Sequence, residues 1–210
     1  MQLLGKLVIK SKEKIIQFLN REQTGRISSI DENGYPQIIP MNFIFINNSI
    51  YMHSHTKGEK LDNIRRNSRV GFEVDKNLEF LPSYFFDPND ASLADTLYIS
   101  VVIKGEASIV NDVEEKVFVL NELMKKYQPE GKYDPMTRDM EVLEAVAVIK
   151  IIPNEMNGKY KIGQNMKTEE RIELAENILN RNSKTSQDTL EIMGFAINEG
   201  KLVLKIDDEW

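Results

Sequence analysis

The segment from His53 to Lys60 reads HSHTKGEK and concentrates imidazole, hydroxyl and ammonium groups within eight residues. An apolar strand pattern precedes it and a short helix pattern follows it. The first turn of a helix has N–H groups without intrahelical acceptors and the positive end of the helix dipole, so it attracts phosphate. The Ser54 hydroxyl and the Lys60 ammonium would add hydrogen bonds to such an anion, the lysine's being charge-assisted. The segment therefore predicts a phosphate-binding site.

The same cations also fit a second interpretation. Lys57, Lys60, Arg65 and Arg66 could form the solvated face of the helix and bind nothing. The hydroxyl and imidazole groups that come directly before them favour the phosphate site, and we retain it as the working hypothesis.

His53 and His55 stand two residues apart on a strand, so their side chains lie on the same side. Two histidines on one side could begin a metal site, but the chain has no cysteine and no third histidine. We therefore expect no metal. Either histidine is a candidate proton donor or acceptor in a reaction near neutral pH, and the two are the candidate catalytic residues.

Composition excludes several classes of protein. The 210 residues include no cysteine, which removes disulfides, thiolate metal sites and a cysteine nucleophile and predicts a reducing, cytoplasmic location. A net charge of −6 makes a nucleic-acid partner unlikely by sequence alone. No apolar run reaches the roughly 20 residues of a membrane span, and we expect no signal peptide. Dinucleotide, phosphate-loop and serine-hydrolase motifs are absent from the sequence.

The pattern of elements predicts a mainly β protein with peripheral helices, in which about six strands form an antiparallel barrel. Tight hairpin turns are expected at Asp31-Glu32-Asn33-Gly34, with Asn-Gly at its tip, and at Asn47-Asn48-Ser49. We expect a strand at 69–74, a long loop at 77–95, a turn at Asn157-Gly158, and a last helix reaching about Glu199 before a strand at 202–206. Residues 1–155 are expected to form the main domain, and residues 156–210 a C-terminal extension packed on it.

Three motifs carry a family resemblance: Asp-x-x-Gly-Tyr-Pro at 31–36, Pro-Met-Asn-Phe at 40–43 and His-Ser-x-x-x-Gly-x-Lys at 53–60. With the strand at 98–107, they resemble the FMN-binding split-barrel superfamily typified by pyridoxamine 5′-phosphate oxidase, and most closely its nitroimidazole-resistance (Nim) branch. The resemblance covers about residues 10–155 and implies a split β-barrel that forms a two-fold dimer. The string at 159–165 is similar to a segment of the FMN-binding negative transcriptional regulators.

The resemblance also implies which residues hold FMN, with the phosphate at the end of the third strand and the ring system over the strand before it. In this superfamily the flavin lies at the dimer interface, so the last three residues of the set would belong to the partner's site. The implied cofactor-binding residues are Met41, Asn42, Phe43, His53, Ser54, His55, Lys60, Ser100, Lys161, Gln164 and Asn165.

The function implied is that of a flavin-dependent oxidoreductase that oxidises or reduces a small organic molecule, such as a nitroaromatic compound, with NAD(P)H as a candidate electron donor. The alternative is a non-enzymatic flavin-binding sensor or transcriptional regulator. True pyridoxamine-phosphate oxidase activity is disfavoured, because the Arg-x-His-Asp-Arg string of that family is missing and no histidine follows His55.

Overall fold

The computed structural model describes residues 5–198 and 201–205 of the chain. Its α-helices are α1 (Lys12–Arg21), α2 (Glu59–Arg66), α3 (Val113–Tyr127), α4 (Thr168–Arg181) and α5 (Ser186–Ile192). Its strands are β1 (Thr24–Ile30), β2 (Pro36–Asn42), β3 (Ile44–Ile46), β4 (Ser49–His55), β5 (Arg69–Leu81), β6 (Asp95–Ile109), β7 (Val146–Lys161), β8 (Phe195–Asn198) and β9 (Lys201–Leu204).

The described strands form a seven-stranded sheet in the order β2-β1-β5-β6-β7-β4-β3 and a separate β8-β9 hairpin. The pairs β1–β2, β1–β5, β3–β4 and β4–β7 are antiparallel. Hairpins connect β1 to β2 and β3 to β4, whereas α2 connects β4 to β5. The mainly antiparallel sheet with helices confirms the predicted split-barrel fold.

The two predicted hairpin turns differ in their chemistry. Asn47 and Asn48 both have positive φ, 51° and 56°, as a two-residue turn between twisted strands requires. At the first turn only Gly34 has positive φ, and the Asp31 carboxylate accepts hydrogen bonds from the amides of Asn33 and Tyr35 at 2.8 Å each. The predicted turn at 31–34 is present, since the Gly34 amide donates to the Asp31 carbonyl at 3.2 Å. The expectation of positive φ at both Asn33 and Gly34 is wrong, because the Asp31 carboxylate organises the turn with Gly34 alone in that conformation.

Two strands continue beyond their predicted ends. β5 runs to Leu81 instead of ending at residue 74, since Leu78 and Leu81 are buried. β7 passes through Asn157 and Gly158 without the predicted turn.

The last predicted helix is shorter than expected. Helix α5 ends at Ile192, Gly194 adopts a φ of 85°, and β8 begins at Phe195. Glu199 and the end of the strand predicted at 202–206 lie outside the described residues.

The chain divides into two compact units. The larger unit contains residues 15–74 and 101–157, and the smaller unit contains the described parts of 1–14, 75–100 and 158–210. Strands β5, β6 and β7 each contribute residues to both units.

The larger unit has an apolar core in which Phe43 and Phe72 are fully buried and meet edge to face, with ring centroids 5.2 Å apart. A cluster that includes Tyr51, Leu120 and Val148 packs α3 against β4 and β7. This core holds the end of β4 and the start of α2, the two elements that carry the predicted phosphate site.

The smaller unit is organised around the buried Glu79 of β5, whose side chain is 1% exposed. Its carboxylate accepts hydrogen bonds from Ser183 Oγ and Thr185 Oγ1, both at 2.6 Å, and from Arg181 Nη1 at 3.1 Å. These donors come from the end of α4 and the turn before α5, so one carboxylate joins the strand to the helical segment.

Candidate functional site

The end of β4 changes from buried to exposed residues. Tyr51 and Met52 are buried, whereas His53 and His55 are exposed and Ser54 is partly exposed. The Ser54 hydroxyl donates to the carbonyl of His55 at 3.0 Å, and His55 Nδ1 accepts from the amide of Lys57 at 3.2 Å. The side chains of Ser54 and His55 therefore shape the turn that leads into α2.

Helix α2 begins at a residue that only glycine suits. Gly58 is the N-cap with a φ of 143°, and no side chain caps the helix. Its carbonyl accepts from the amides of Leu61 and Asp62. Within the described residues, the amides of Gly58, Glu59 and Lys60 have no protein acceptor. The helix start thus presents free N–H groups, the arrangement that binds an anion.

Lys60 is the cation at this helix start. Its Nζ atom lies 3.3 Å from Met41 Sδ of β2, and a thioether is only a weak acceptor. In the part of the chain that the structure describes, no carboxylate pairs with this ammonium. Burial lowers the pKa of Lys60, since its charge is partly removed from water without a compensating anion. The side chain is therefore available to an anionic ligand.

His53 adjoins this cation. Partial withdrawal from water lowers its pKa, and the positive charge of Lys60 lowers it further. A lowered pKa keeps the imidazole neutral at pH 7, so His53 can accept or donate a hydrogen bond without adding charge. The larger unit therefore brings Met41, His53 and Lys60 together near the start of α2, whereas the Ser54 side chain alternates to the opposite side of β4 from His53 and contacts the His55 carbonyl.

Asn42 and Phe43 follow Met41 but have different surroundings. Asn42 is exposed at the end of β2, opposite Thr24. Phe43 is fully buried, its amide donates to Tyr127 Oη at 2.8 Å, and its carbonyl accepts from Lys126 Nζ at 3.0 Å. Protein groups thus already satisfy the Phe43 backbone, and a flavin contact from Phe43 stays a prediction.

The remaining predicted residues belong to the smaller unit. Ser100 is partly exposed on β6, and Asn165 is exposed. Lys161 pairs with Asp95. Gln164 Oε1 accepts from the amide of Ile162 at 3.0 Å, and its Nε2 donates to the carbonyl of Tyr160 at 2.7 Å. Within this unit Lys161 and Gln164 already have protein partners, and their role towards a cofactor stays a prediction.

Sequence reasoning missed Lys126 and Tyr127, the last two residues of α3, which hold the Phe43 peptide. They lie more than 80 positions from Phe43 in the sequence. Amphipathic helix spacing contains no signal for such a contact.

Two features are absent from the residues that the structure describes. No cluster of three or more His, Asp or Glu side chains is placed to hold a metal ion. No helix there combines the length and apolar character that crossing a membrane requires.

The smaller unit has an open cavity of about 450 Å³ beside α4 and β9, with Ile172, Leu179 and Leu202 in its wall. None of the predicted site residues lines this cavity.

The sequence matches the family model described as pyridoxamine 5′-phosphate oxidase over residues 11–160. The chain belongs to this family, whose members bind flavin. None of the curated proteins compared with the chain matches it.

Solved structures with the same fold include a candidate 5-nitroimidazole antibiotic resistance protein from Bacteroides thetaiotaomicron, 23% identical, with a TM-score of 0.62 over 73% of this chain and 86% of that one. The flavocytochrome Anf3 from Azotobacter vinelandii is 16% identical, with a TM-score of 0.65 over 77% and 72%. An FAD and heme binding protein from Mycobacterium smegmatis is 15% identical, with a TM-score of 0.63 over 79% and 78%. At these identities the likeness shows a common fold.

Proposed function

We propose that the chain binds FMN and that the start of α2, together with Lys60, holds its phosphate. The observation that carries this proposal is the ammonium of Lys60, which is partly buried and has no carboxylate partner among the described residues. Lys60 belongs to the first turn of a helix in which the amides of Gly58, Glu59 and Lys60 have no protein acceptor among those residues. Such a site fits a terminal phosphate, because a dianion can accept several charge-assisted hydrogen bonds at once. The site offers one cation and one helix start, which suit a single terminal phosphate such as that of FMN. They are less suited to the bridging pyrophosphate of FAD.

We further propose that the protein is an oxidoreductase for a small organic molecule. Bound flavin supplies the electron or hydride transfer, and the chain supplies binding, orientation and electrostatics. A nitroaromatic acceptor is the first candidate, supported by the shared fold of the Bacteroides protein, with NAD(P)H as the candidate donor. We expect neutral His53, which adjoins Lys60, to donate a hydrogen bond to the bound group or to accept one from it.

The proposal includes a homodimer in which Lys161, Gln164 and Asn165 of each copy contribute to the flavin site of the other, and it keeps Ser100 as a polar flavin contact. It also places the protein in the cytoplasm, since the sequence contains no cysteine that an oxidising compartment would pair. Light scattering tests the assembly: a monomeric mass at full FMN occupancy contradicts a shared site.

The decisive experiment is a titration of purified protein with FMN and, separately, with FAD, followed by anaerobic addition of NADH or NADPH. We expect tighter binding of FMN and loss of the oxidised-flavin absorbance after the donor is added. Protein that rejects both flavins contradicts the cofactor. Bound flavin that no donor reduces contradicts the NAD(P)H-dependent oxidoreductase and favours a sensor.

A further inference from the structure

The last turn of α3 reaches the junction between β2 and β3. Lys126 Nζ donates to the carbonyls of Phe43 at 3.0 Å and Leu19 at 3.2 Å. The same ammonium lies 4.1 Å from the centre of the Phe43 ring. One cation therefore holds both the backbone and the ring of Phe43 and also binds the end of α1.

Tyr127, the next residue, holds the other polar group of the same peptide unit. Its hydroxyl accepts from the Phe43 amide at 2.8 Å, lies 3.0 Å from the Phe43 carbonyl, and contacts the carbonyl of Gln23. Phe43 is the single residue between β2 and β3 and belongs to neither strand. Two side chains of α3 thus supply the hydrogen bonds that strand pairing supplies elsewhere in the sheet.

The Phe43 ring is linked to Met41 through its packing against Phe72. It packs edge to face on Phe72, whose ring covers Gly25 so closely that a Cβ atom there would lie 2.2 Å from it. Gly25 is the partner of Met41 in the β1–β2 pair. Met41 is therefore supported by its neighbouring strand and by the Phe43 junction, and its sulfur contacts Lys60.

We propose that Lys126 and Tyr127 are positioning residues for the flavin site: they fix the Phe43 peptide and so set the position of Met41 and Asn42 relative to Lys60. This inference rests on the proposed FMN binding. Helix α3 contributes none of the site residues that the sequence predicts. In this inference it nevertheless controls the geometry of the segment beneath the flavin ring.

The test compares Lys126→Met with Lys125→Met. Lys125 is the neighbouring residue on the same helix, is exposed, and pairs with Glu122, so its replacement controls for loss of a lysine from α3. FMN affinity is measured by quenching of flavin fluorescence, at a temperature where both variants are fully folded by far-ultraviolet circular dichroism. Visible circular dichroism of the bound flavin reports the surroundings of the ring system.

We expect Lys126→Met to weaken FMN binding on the order of tenfold, because the Phe43 peptide loses the donor that fixes it and Met41 and Asn42 are then less well positioned for the flavin. We also expect it to change the visible dichroism, whereas Lys125→Met leaves both unchanged. Lys126→Arg should restore most of both signals, because a guanidinium can donate to two carbonyls and stack on Phe43. Tyr127→Phe, which keeps the ring and loses the hydroxyl, should act in the same direction as Lys126→Met.

Equal FMN affinity and equal visible dichroism in Lys126→Met and Lys125→Met overturn the inference while leaving FMN binding itself intact. Failure of the unmodified protein to bind FMN overturns the proposed function instead. If Lys126→Met does not fold, Tyr127→Phe decides the question by the same two measurements.

Discussion

The Sδ atom of Met41 lies 3.3 Å from the Nζ atom of Lys60. This contact joins the end of β2 to the first turn of α2, but a thioether satisfies an ammonium poorly. The cation is thus held in place by a neighbour that an anion can readily displace or supplement. The proposed binding of a phosphate at this site depends on this weakly satisfied ammonium.

The first prediction concerns Lys60. Lys60→Ala should weaken FMN binding by about ten- to a hundredfold, as expected for a lost hydrogen bond to a charged group worth roughly 1.5–3 kcal/mol. Lys57→Ala, which removes an exposed ammonium one turn earlier, should have a smaller effect. Fluorescence titration measures both, and equal binding by the Lys60 variant and the unmodified protein would remove Lys60 from the site.

The second prediction concerns the start of α2. A Cβ at Gly58 meets no atom within 4 Å, but its φ of 143° is strained for any other residue. Gly58→Ala should therefore cost about 1–3 kcal/mol in the present geometry or shift the helix start, and FMN affinity should fall. Gly131→Ala is the control, since Gly131 also has positive φ, 69°, and open space. We expect the control to lose stability without losing FMN affinity, and equal affinities in the two variants would contradict a role for the helix start.

His53 allows binding and catalysis to be separated. Because its lowered pKa keeps it neutral at pH 7, we expect His53→Gln to weaken FMN binding and to leave turnover per bound FMN nearly unchanged. A proton-donating catalyst would instead lose about 10²- to 10⁴-fold. The measurement is turnover per bound flavin between pH 5 and 8, with His55→Gln as the comparison. A large loss at constant flavin occupancy would make His53 catalytic.

Glu79 should control the stability of the smaller unit. Glu79→Leu removes the acceptor that three donors share, while the partly exposed Arg181 guanidinium keeps its bond to the Phe80 carbonyl, and should reduce the free energy of unfolding by about 1–3 kcal/mol. The exposed pair of Lys104 and Glu155 is the control, and Glu155→Gln should cost less than about 1 kcal/mol. Urea unfolding compares them, and similar midpoints would show that the buried network contributes no more than a surface pair.

Lys126 should make stability depend on alkaline pH. Burial lowers its pKa from 10.5 to about 8, so between these values the unfolded chain binds more protons than the folded one. Below pH 8 the folded protein carries the buried charge, which lowers its free energy of unfolding by the full amount. This loss becomes smaller as the pH rises from 8 towards 10.5, because the folded protein no longer has to carry the charge. Measured by urea unfolding, the unmodified protein should gain stability relative to Lys126→Met over this window. Parallel pH profiles would show that the Lys126 pKa is the same in both states.

The sequence predicted features that local chemistry determines. A strand end, a glycine and a helix start within eight residues are visible in the sequence, and the structure has β4 ending at His55, Gly58 as the N-cap and α2 beginning at Glu59. The role of Ser54, His55 and Lys60 towards a cofactor stays a prediction. The first turn was less predictable, since the pattern marked Asn33-Gly34 whereas the Asp31 carboxylate sets the loop. Local propensity identifies that a turn exists, but side-chain hydrogen bonds decide its geometry.

Long-range partners could not be predicted. β5 continues to Leu81 with Glu79 buried on the way, because donors about 100 positions later in the sequence satisfy that carboxylate. Lys126 likewise becomes part of the site region only when α3 lies against the β2–β3 junction. A single sequence shows a glutamate in a loop-like stretch and a lysine at the end of a helix with equal numbers of acidic and basic residues, and it contains no information on what these two side chains contact.

The edge strand β2 limits how the sheet can grow. Pro36 and Pro40 stand four residues apart, so with Ile38 and Asn42 they direct their backbone to the same side of the strand. Proline has no N–H, and in a paired strand its nitrogen must face away from the partner, here β1. Only two of these four outward positions can therefore donate to an added strand. A second strand that approaches β2, from a copy of this chain or from an amyloid-like neighbour, can contact exposed side chains such as Ile38. It cannot form a continuous ladder of hydrogen bonds with β2.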